Sequence, residues 1–367
     1  MRELVRRIGQ RVLVGFAGKT ASPDAKSLIR DYGAGHVILL PRNVDRPEQV
    51  ADLVRELQAV ARDAGHELPL LVWVDQEGGR VAALGDPWTA WPSPRAVGRT
   101  GSEDVARRMG AAVAGELRAC GIRANLAPVL DLDTNPANPV VGDRAFGGDP
   151  ALAGRLGAAL VEGLQGGGVA ACAKHFPGHG DTDVDPRVDL PSVDHPRSRL
   201  EDRELRPFRQ AIEAGVAGVM TAHVLFREID DRLPATLSPR LVEDLLRGEM
   251  AYPGVVVADD LEMGAVAGRW KPGPAAVLAA RAGCDVFPVC STPDAQVAAI
   301  EALVRAVESE EIAWSALDDP AERIRRLKER FLLPWRDPDP RQARLAVGEG
   351  RHRALVEQIG AASGLPA

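Results

Sequence analysis

Short apolar runs alternate with longer amphipathic segments along most of the chain. The runs are RVLVGF (11–16), GHVILL (35–40), PLLVWVDQ (69–76), RANLAPVLDL (123–132), GVAACAKHF (168–176), GVAGVMTAH (215–223), GVVVADDL (254–261) and GCDVFPVC (283–290). Each is nearly continuous in apolar residues, the composition that parallel strands covered by helices require. Between them, RPEQVADLVRELQAVARDAG (46–65) and SEDVARRMGAAVAGELRACG (102–121) place apolar residues three and four apart. Both predict helices, and Gly65 and Gly121 suit their C-caps.

Eight such strands, each followed by a helix or a long loop, predict a (β/α)8 barrel over an open doubly wound sheet. The placement of polar residues sharpens the expectation. Asp75, Asp131, Lys174, His175, His223, Asp259 and Asp260 all fall at or just beyond the C-terminal ends of their runs. That rim is where barrel enzymes assemble their sites. After about residue 312 the rhythm changes. IAWSALDDPAERIRRLKERFLLP reads as a basic-faced helix closing the domain, WRDPDPRQ as a linker-like turn, and EGRHRALVEQIGAASGLPA as a last amphipathic helix. The expected organisation is a barrel domain over 1–330 and a linker with a C-terminal helix over 331–367, without a second domain.

Composition narrows the function classes. The chain has 367 residues, 45% hydrophobic and 26% charged, as in a globular protein able to bury a core. A formal charge of −7 weighs against nucleic acid, which needs a basic face. No segment reads as a signal h-region or a membrane span, so the cytoplasm is the expected compartment. Cys120, Cys172, Cys284 and Cys290 lack a short ligand spacing; buried thiols in a reducing compartment are expected. GFAGKT, after the first strand, has neither phosphate-loop fingerprint, which disfavours a nucleotide; no cofactor is expected.

Four stretches carry candidate chemistry. In VVVADDLEMGA, successive side chains of a strand face opposite ways, so Asp259 and Asp260 cannot enter one site together. One faces a site, and the other caps the next helix or braces the loop. VWVDQEGGRV predicts a tight glycine turn holding Asp75, Glu77 and Arg80 over the rim. The long polar segment 129–150 carries Asp131, Asp133, Asp143 and Arg144, and ordered loops of that length are more often functional than idle. In KHFPGHG, His175 and His179 would share a face only on a helix, which Phe176-Pro177-Gly178 opposes; no metal pair is expected. No GxSxG elbow occurs, so a Ser–His–Asp triad has little support.

Taken in order, IGQRVLVGF, GHVILLPRNV, VDQEGGRV, NLAPVLDLD, GDRAFGGDP, KHFPGHGDT, VMTAHVLF and VVVADDLEM resemble the family 3 glycoside hydrolases. The likeness is to their β-N-acetylglucosaminidase branch, which trims sugars from recycled bacterial cell wall, and it runs from about residue 8 to 330. The resemblance implies a (β/α)8 barrel and a carbohydrate substrate, with Asp259 as the nucleophile of a retaining hydrolysis. It further implies that Asp75, Arg144, Lys174 and His175 hold sugar hydroxyls.

One position departs from that pattern. After KHFPGHG this branch normally reads Asp-Ser-His, the histidine serving as general acid/base and the aspartate orienting it. The aligned residues here are Asp185, Pro186 and Arg187. The orienting carboxylate is kept and the proton carrier is not, because a guanidinium stays protonated up to a pKa of about 12 or above. A cation beside Asp185 favours its ionised form and opposes acid duty. His179 and His195 are proton carriers by chemistry, but neither stands at the expected place. Three readings follow. The first is a glycosidase drawing its acid from elsewhere or needing a good leaving group. In the second, Arg187 receives an anionic group such as a sugar carboxylate or a phosphate acceptor. The third is a sugar-binding or regulatory barrel without turnover.

Overall fold

The computed structural model describes residues 2–364. All eight apolar runs contribute a strand: β1 Val12–Val14, β2 His36–Leu39, β3 Leu71–Val74, β4 Ala124–Asn125, β5 Ala170–Phe176, β6 Gly218–Thr221, β7 Val255–Val257 and β8 Phe287–Val289. Neighbours pair in parallel, and β8 returns to β1 with Val12 opposite Phe287. A parallel bridge between Val257 and Val286 joins β7 to β8 and closes the ring. The fold is a (β/α)8 barrel. β4 is short, and pairing resumes where Val129 meets Lys174.

Alternation along the strands divides the apolar residues into two cores. Leu13, Ile38, Leu71, Trp73, Ala124, Cys172, Val255 and Val257 face inward and fill the barrel. Val12, Val14, Val37, Val72, Ala171, Val256 and Ala258 face outward, under the surrounding helices. This explains why the runs show no polar alternation: both faces are buried. Helices Pro47–Asp63 and Glu103–Ala119 form where the apolar spacing predicts them. Gly65 and Gly121 follow them with φ of 77° and 83°, a backbone that glycine adopts without a side-chain clash.

Helix Asp318–Leu332 occupies the N-terminal mouth of the barrel. It sends Ile324, Leu327, Phe331 and Leu332 into the inner core. Its polar anchors lie ahead of the strands: Lys328 Nζ donates to Gln10 Oε1 (2.8 Å), and Arg323 Nη2 donates to Asp285 Oδ1 (2.9 Å). The expected closing helix is therefore a stopper. The Pro-rich stretch after it is no free linker. Helix Pro340–Ala346 begins inside it, buries Ala343, and packs on helices Pro47–Asp63 and Glu103–Ala119. Helix Gly350–Ser363 docks on helices Pro94–Thr100 and Glu103–Ala119, and on the latter His352 Nδ1 lies 3.0 Å from Glu116 Oε1. The four cysteines are buried free thiols. No helix among the described residues is long and apolar enough to cross a membrane.

Candidate active site

The inward series Val255, Val257 continues to Asp259 at the C-terminal rim, while Ala258 and Asp260 take the outward parity. Asp259 Oδ1 accepts the Asp260 N–H (2.9 Å); its other oxygen has no protein partner among the described residues. Asp260 turns away and braces the loop, accepting from Glu262 N (3.2 Å) and Cys290 N (3.3 Å). Burial, with Glu262 and Asp259 close by, pushes the Asp260 carboxyl up to about 7. Of the two adjacent carboxylates, Asp259 is the one that faces the barrel axis.

Across the rim lies a buried network of two cations and two carboxylates. Lys174, next in the inward series after Cys172 on β5, reaches Asp75 Oδ1 (2.5 Å) and Glu77 Oε1 (2.6 Å). Arg144 grips the same Glu77 with two parallel bonds, Nε to Oε2 (2.8 Å) and Nη2 to Oε1 (2.7 Å). The Glu77 side chain is 1% exposed and Lys174 3%, so neither charge relies on solvent. Burial alone would push Glu77 up, but the Lys174 and Arg144 cations outweigh it and hold it at about 2. Asp75 is the more open of the two carboxylates, with its side chain 30% exposed.

Beside this network, Asp131 orients the histidines of KHFPGHG. Its carboxylate accepts His175 Nδ1–H (2.7 Å) and the backbone N–H groups of His175 (3.2 Å) and His179 (2.6 Å). Burial opposes ionisation here as well, yet the charge and hydrogen bonds of His175 hold Asp131 at about 2. With Nδ1 committed to the carboxylate, Nε2 is the His175 nitrogen free for a ligand. Although the segment is not helical, the His175 and His179 rings lie 5.8 Å apart edge to face, correcting the expectation that the spacing separates them. They converge because both flank one carboxylate. His179 Nδ1 meets Thr182 Oγ1 (2.7 Å), while its Nε2 is buried without a partner. Burial lowers its pKa against the pull of Asp131, which leaves His179 neutral.

Segments 129–150 and 174–182 are stitched to one another. Asn138 Nδ2 donates to the carbonyls of His179 (2.9 Å) and Gly180 (3.1 Å). Gly180 approaches so closely that an added Cβ would lie 1.7 Å from the Leu132 carbonyl oxygen. The departing loop then carries Asp185 and Arg187, which pair with each other. Arg187 Nε meets both Asp185 oxygens at 3.0 Å, Nη2 donates to Oδ2 (2.6 Å), and Arg187 N donates to Oδ1 (2.9 Å). These bonds hold the Asp185 carboxyl below the usual carboxylate range. Ala265 N donates to Pro186 O (2.8 Å), so the loop rests on the segment that follows β7. His195 pairs with Asp181 through Nε2, at the far end of that loop.

The model of the glycosyl hydrolase family 3 N-terminal domain matches residues 4–327. The chain belongs to glycosyl hydrolase family 3. Among curated relatives, a β-hexosaminidase A of Pseudoalteromonas piscicida is 33% identical over 366 residues, which cover 94% of this chain and 61% of the relative. A β-hexosaminidase of Alkalilimnicola ehrlichii is 38% identical over 298 residues, covering 80% of this chain and 84% of that one. Among solved structures, a family 3 β-N-acetylglucosaminidase from Paenibacillus sp. superposes with a TM-score of 0.93 at 43% identity, covering 98% of this chain and 68% of that one. The family 3 barrel thus carries Asp75, Lys174 and Arg144 in one network, His175 on its own carboxylate, and Asp185 with Arg187 on an outer loop. Glu77 and Asp131 were named in the candidate stretches but given no role by sequence reasoning, and Asn138 was not named. Glu77 had a signal: two residues beyond Asp75, it has the same parity on an extended segment.

Proposed function

We propose that this chain is a retaining glycoside hydrolase acting on β-linked N-acetylhexosamines. The observation carrying the reading is the inward Asp259 carboxylate, one oxygen tied to the backbone and the other without a protein partner. In the proposed reaction that oxygen attacks the anomeric carbon as the glycosidic C–O bond breaks, forming a glycosyl-enzyme that water then hydrolyses. Asp75, Lys174 and His175 Nε2 supply acceptor and donor groups for ring hydroxyls. Arg144, fixed by Glu77, orients the site. The relatives' activity on hexosamines supports the sugar class. The barrel over 1–330, with 331–367 as its C-terminal extension, is the proposed catalytic unit, and a role in cell-wall recycling in the cytoplasm fits the same reading.

Proton transfer is where this chain differs. Asp185 is bonded by Arg187 and held in its ionised form, so it serves as a loop brace and not as the acid. The Arg187 fork is spent on Asp185, which weakens the reading in which it receives an anionic group. Glycosides whose leaving groups depart as stabilised oxyanions are the substrates this site suits. The pairing also favours a second reading, a sugar-binding barrel without turnover. Incubation with a fluorosugar bearing an activated leaving group, followed by peptide mass analysis, separates the two. Mass gain on the peptide holding Asp259 supports catalysis; binding without labelling overturns it.

A further inference from the structure

At the N-terminal end of the barrel, opposite Asp259, lies a cavity of about 760 Å³. Arg2, Arg6, Arg7, Arg11, Arg325 and Lys328 line it, against two acidic residues, Glu3 and Glu67. Arg7 pairs with Asp318, and Arg325 with Glu322 and Glu329. Arg11 donates to the carbonyls of Asp285 (3.1 Å) and Cys284 (2.7 Å). Arg6 donates only to the Ala64 carbonyl (3.1 Å), and Arg2 has no carboxylate partner among the described residues. Arg2, Arg6 and Lys328 are therefore left without an ion pair among the described residues.

Lys328 makes the cavity more than a basic surface. It is 1% exposed, yet its ammonium has one acceptor, Gln10 Oε1 at 2.8 Å, for three donors. A buried ammonium so sparsely bonded is costly unless a counter-charge reaches it. Glu3 and Glu67 line the same cavity but make no ion pair with it among the described residues; of its neighbours, His66 bonds the Ile29 carbonyl (2.9 Å) and His36 accepts from Trp73 Nε1 (3.0 Å). We propose that this end of the barrel is a binding site for a small phosphate-bearing anion, with Lys328 at its floor and Arg6 and Arg2 at its mouth. A multivalent tetrahedral anion accepts hydrogen bonds in many directions, which suits cations converging from separate elements. The cavity volume is that of an ordinary small-molecule site.

Burial pushes Lys328 down to about 7, and an anion seated on it raises that value again. Binding near pH 7.5 is therefore coupled to partial proton uptake. Calorimetry of the full chain with inorganic pyrophosphate, in two buffers of different ionisation enthalpy, reads both affinity and proton uptake. Saturable binding that weakens with salt is expected. K328M is expected to weaken it about tenfold or more and to abolish the uptake. R6S, at an exposed position that cannot disturb the core, is expected to weaken binding and keep the uptake, and H66Q to keep both. Absence of binding tighter than about 1 mM, equal affinity in R6S, loss of uptake in H66Q, or citrate binding as tightly as pyrophosphate would each overturn the assignment.

Discussion

Replacing Glu77 by glutamine tests the buried network that fixes Lys174 and Arg144. In the folded chain the carboxylate is held at about 2 against an ordinary 4.5, mainly by those two cations. At about 1.4 kcal/mol per pKa unit, the depression corresponds to about 3 kcal/mol of stability near neutral pH. Because the folded value lies below the unfolded one, this contribution is fully present above pH 4.5 and is lost as pH falls through 2. At pH 3 about half should remain. Removing one partner of a buried ion pair costs about 3–5 kcal/mol in general, which agrees in size. Urea unfolding of wild type and E77Q from pH 7 to pH 3 gives the comparison. The gap should be about 3 kcal/mol at pH 7 and narrow steadily with acid. A gap that does not change with pH, or one below about 1 kcal/mol at pH 7, would show that Glu77 does not carry the charge balance of the site.

D259N should abolish turnover of aryl N-acetylglucosaminides while leaving the thermal midpoint nearly unchanged, because the side chain makes only one backbone bond; residual activity near wild type would remove Asp259 from the chemistry. R187H restores a titratable ring beside Asp185 and should raise kcat on unactivated glycosides by up to about 10²-fold, with little effect on aryl glycosides whose phenols leave easily. Equal effects on both substrate types would refute the lost-acid argument. D131N removes the charge and turns one of the two accepting oxygens into an NH2 donor, so His175 Nδ1–H and the two backbone N–H groups can no longer all be met; kcat/KM should fall about 10-fold or more while bulk secondary structure is kept. E116Q weakens a buried carboxylate that bonds Thr89 (2.6 Å), His352 (3.0 Å) and Gly348 N (2.9 Å). Limited proteolysis should then release helix Gly350–Ser363 sooner than in wild type.

The barrel was legible because parallel strands buried on both faces must be apolar throughout, and the eight runs have that property. The rim residues were legible for a related reason: a polar residue ending such a run lies at the C-terminal mouth, and parity decides whether it faces inward, as Asp259 does, or outward, as Asp260 does. What the sequence did not show is which carboxylates neutralise which cations. Glu77 and Asp131 stand more than 40 positions from their partners Arg144 and His175, and no spacing rule spans that distance. The nearness of His175 and His179 was missed for the same reason, since a shared acceptor brings them together and not a helical period. The Asp185–Arg187 pair was within reach, being two residues apart on an extended loop. Its full two-pronged geometry was not. The Pro-rich stretch after residue 332 looked like a spacer because proline breaks regular structure, yet the helix begun at Pro340 uses proline where a helix tolerates it.

The stopper helix has a consequence for how the chain is made. Synthesis delivers the residues that fill the shaft of the barrel well before residues 318–332, which seal it from below. A nascent chain that has emerged only as far as the eighth strand holds its interior open to water at one mouth. Final consolidation must therefore wait for the stopper to leave the ribosome, and a stalled or clipped product lacking it would offer chaperones an oily well where the finished molecule shows a plug.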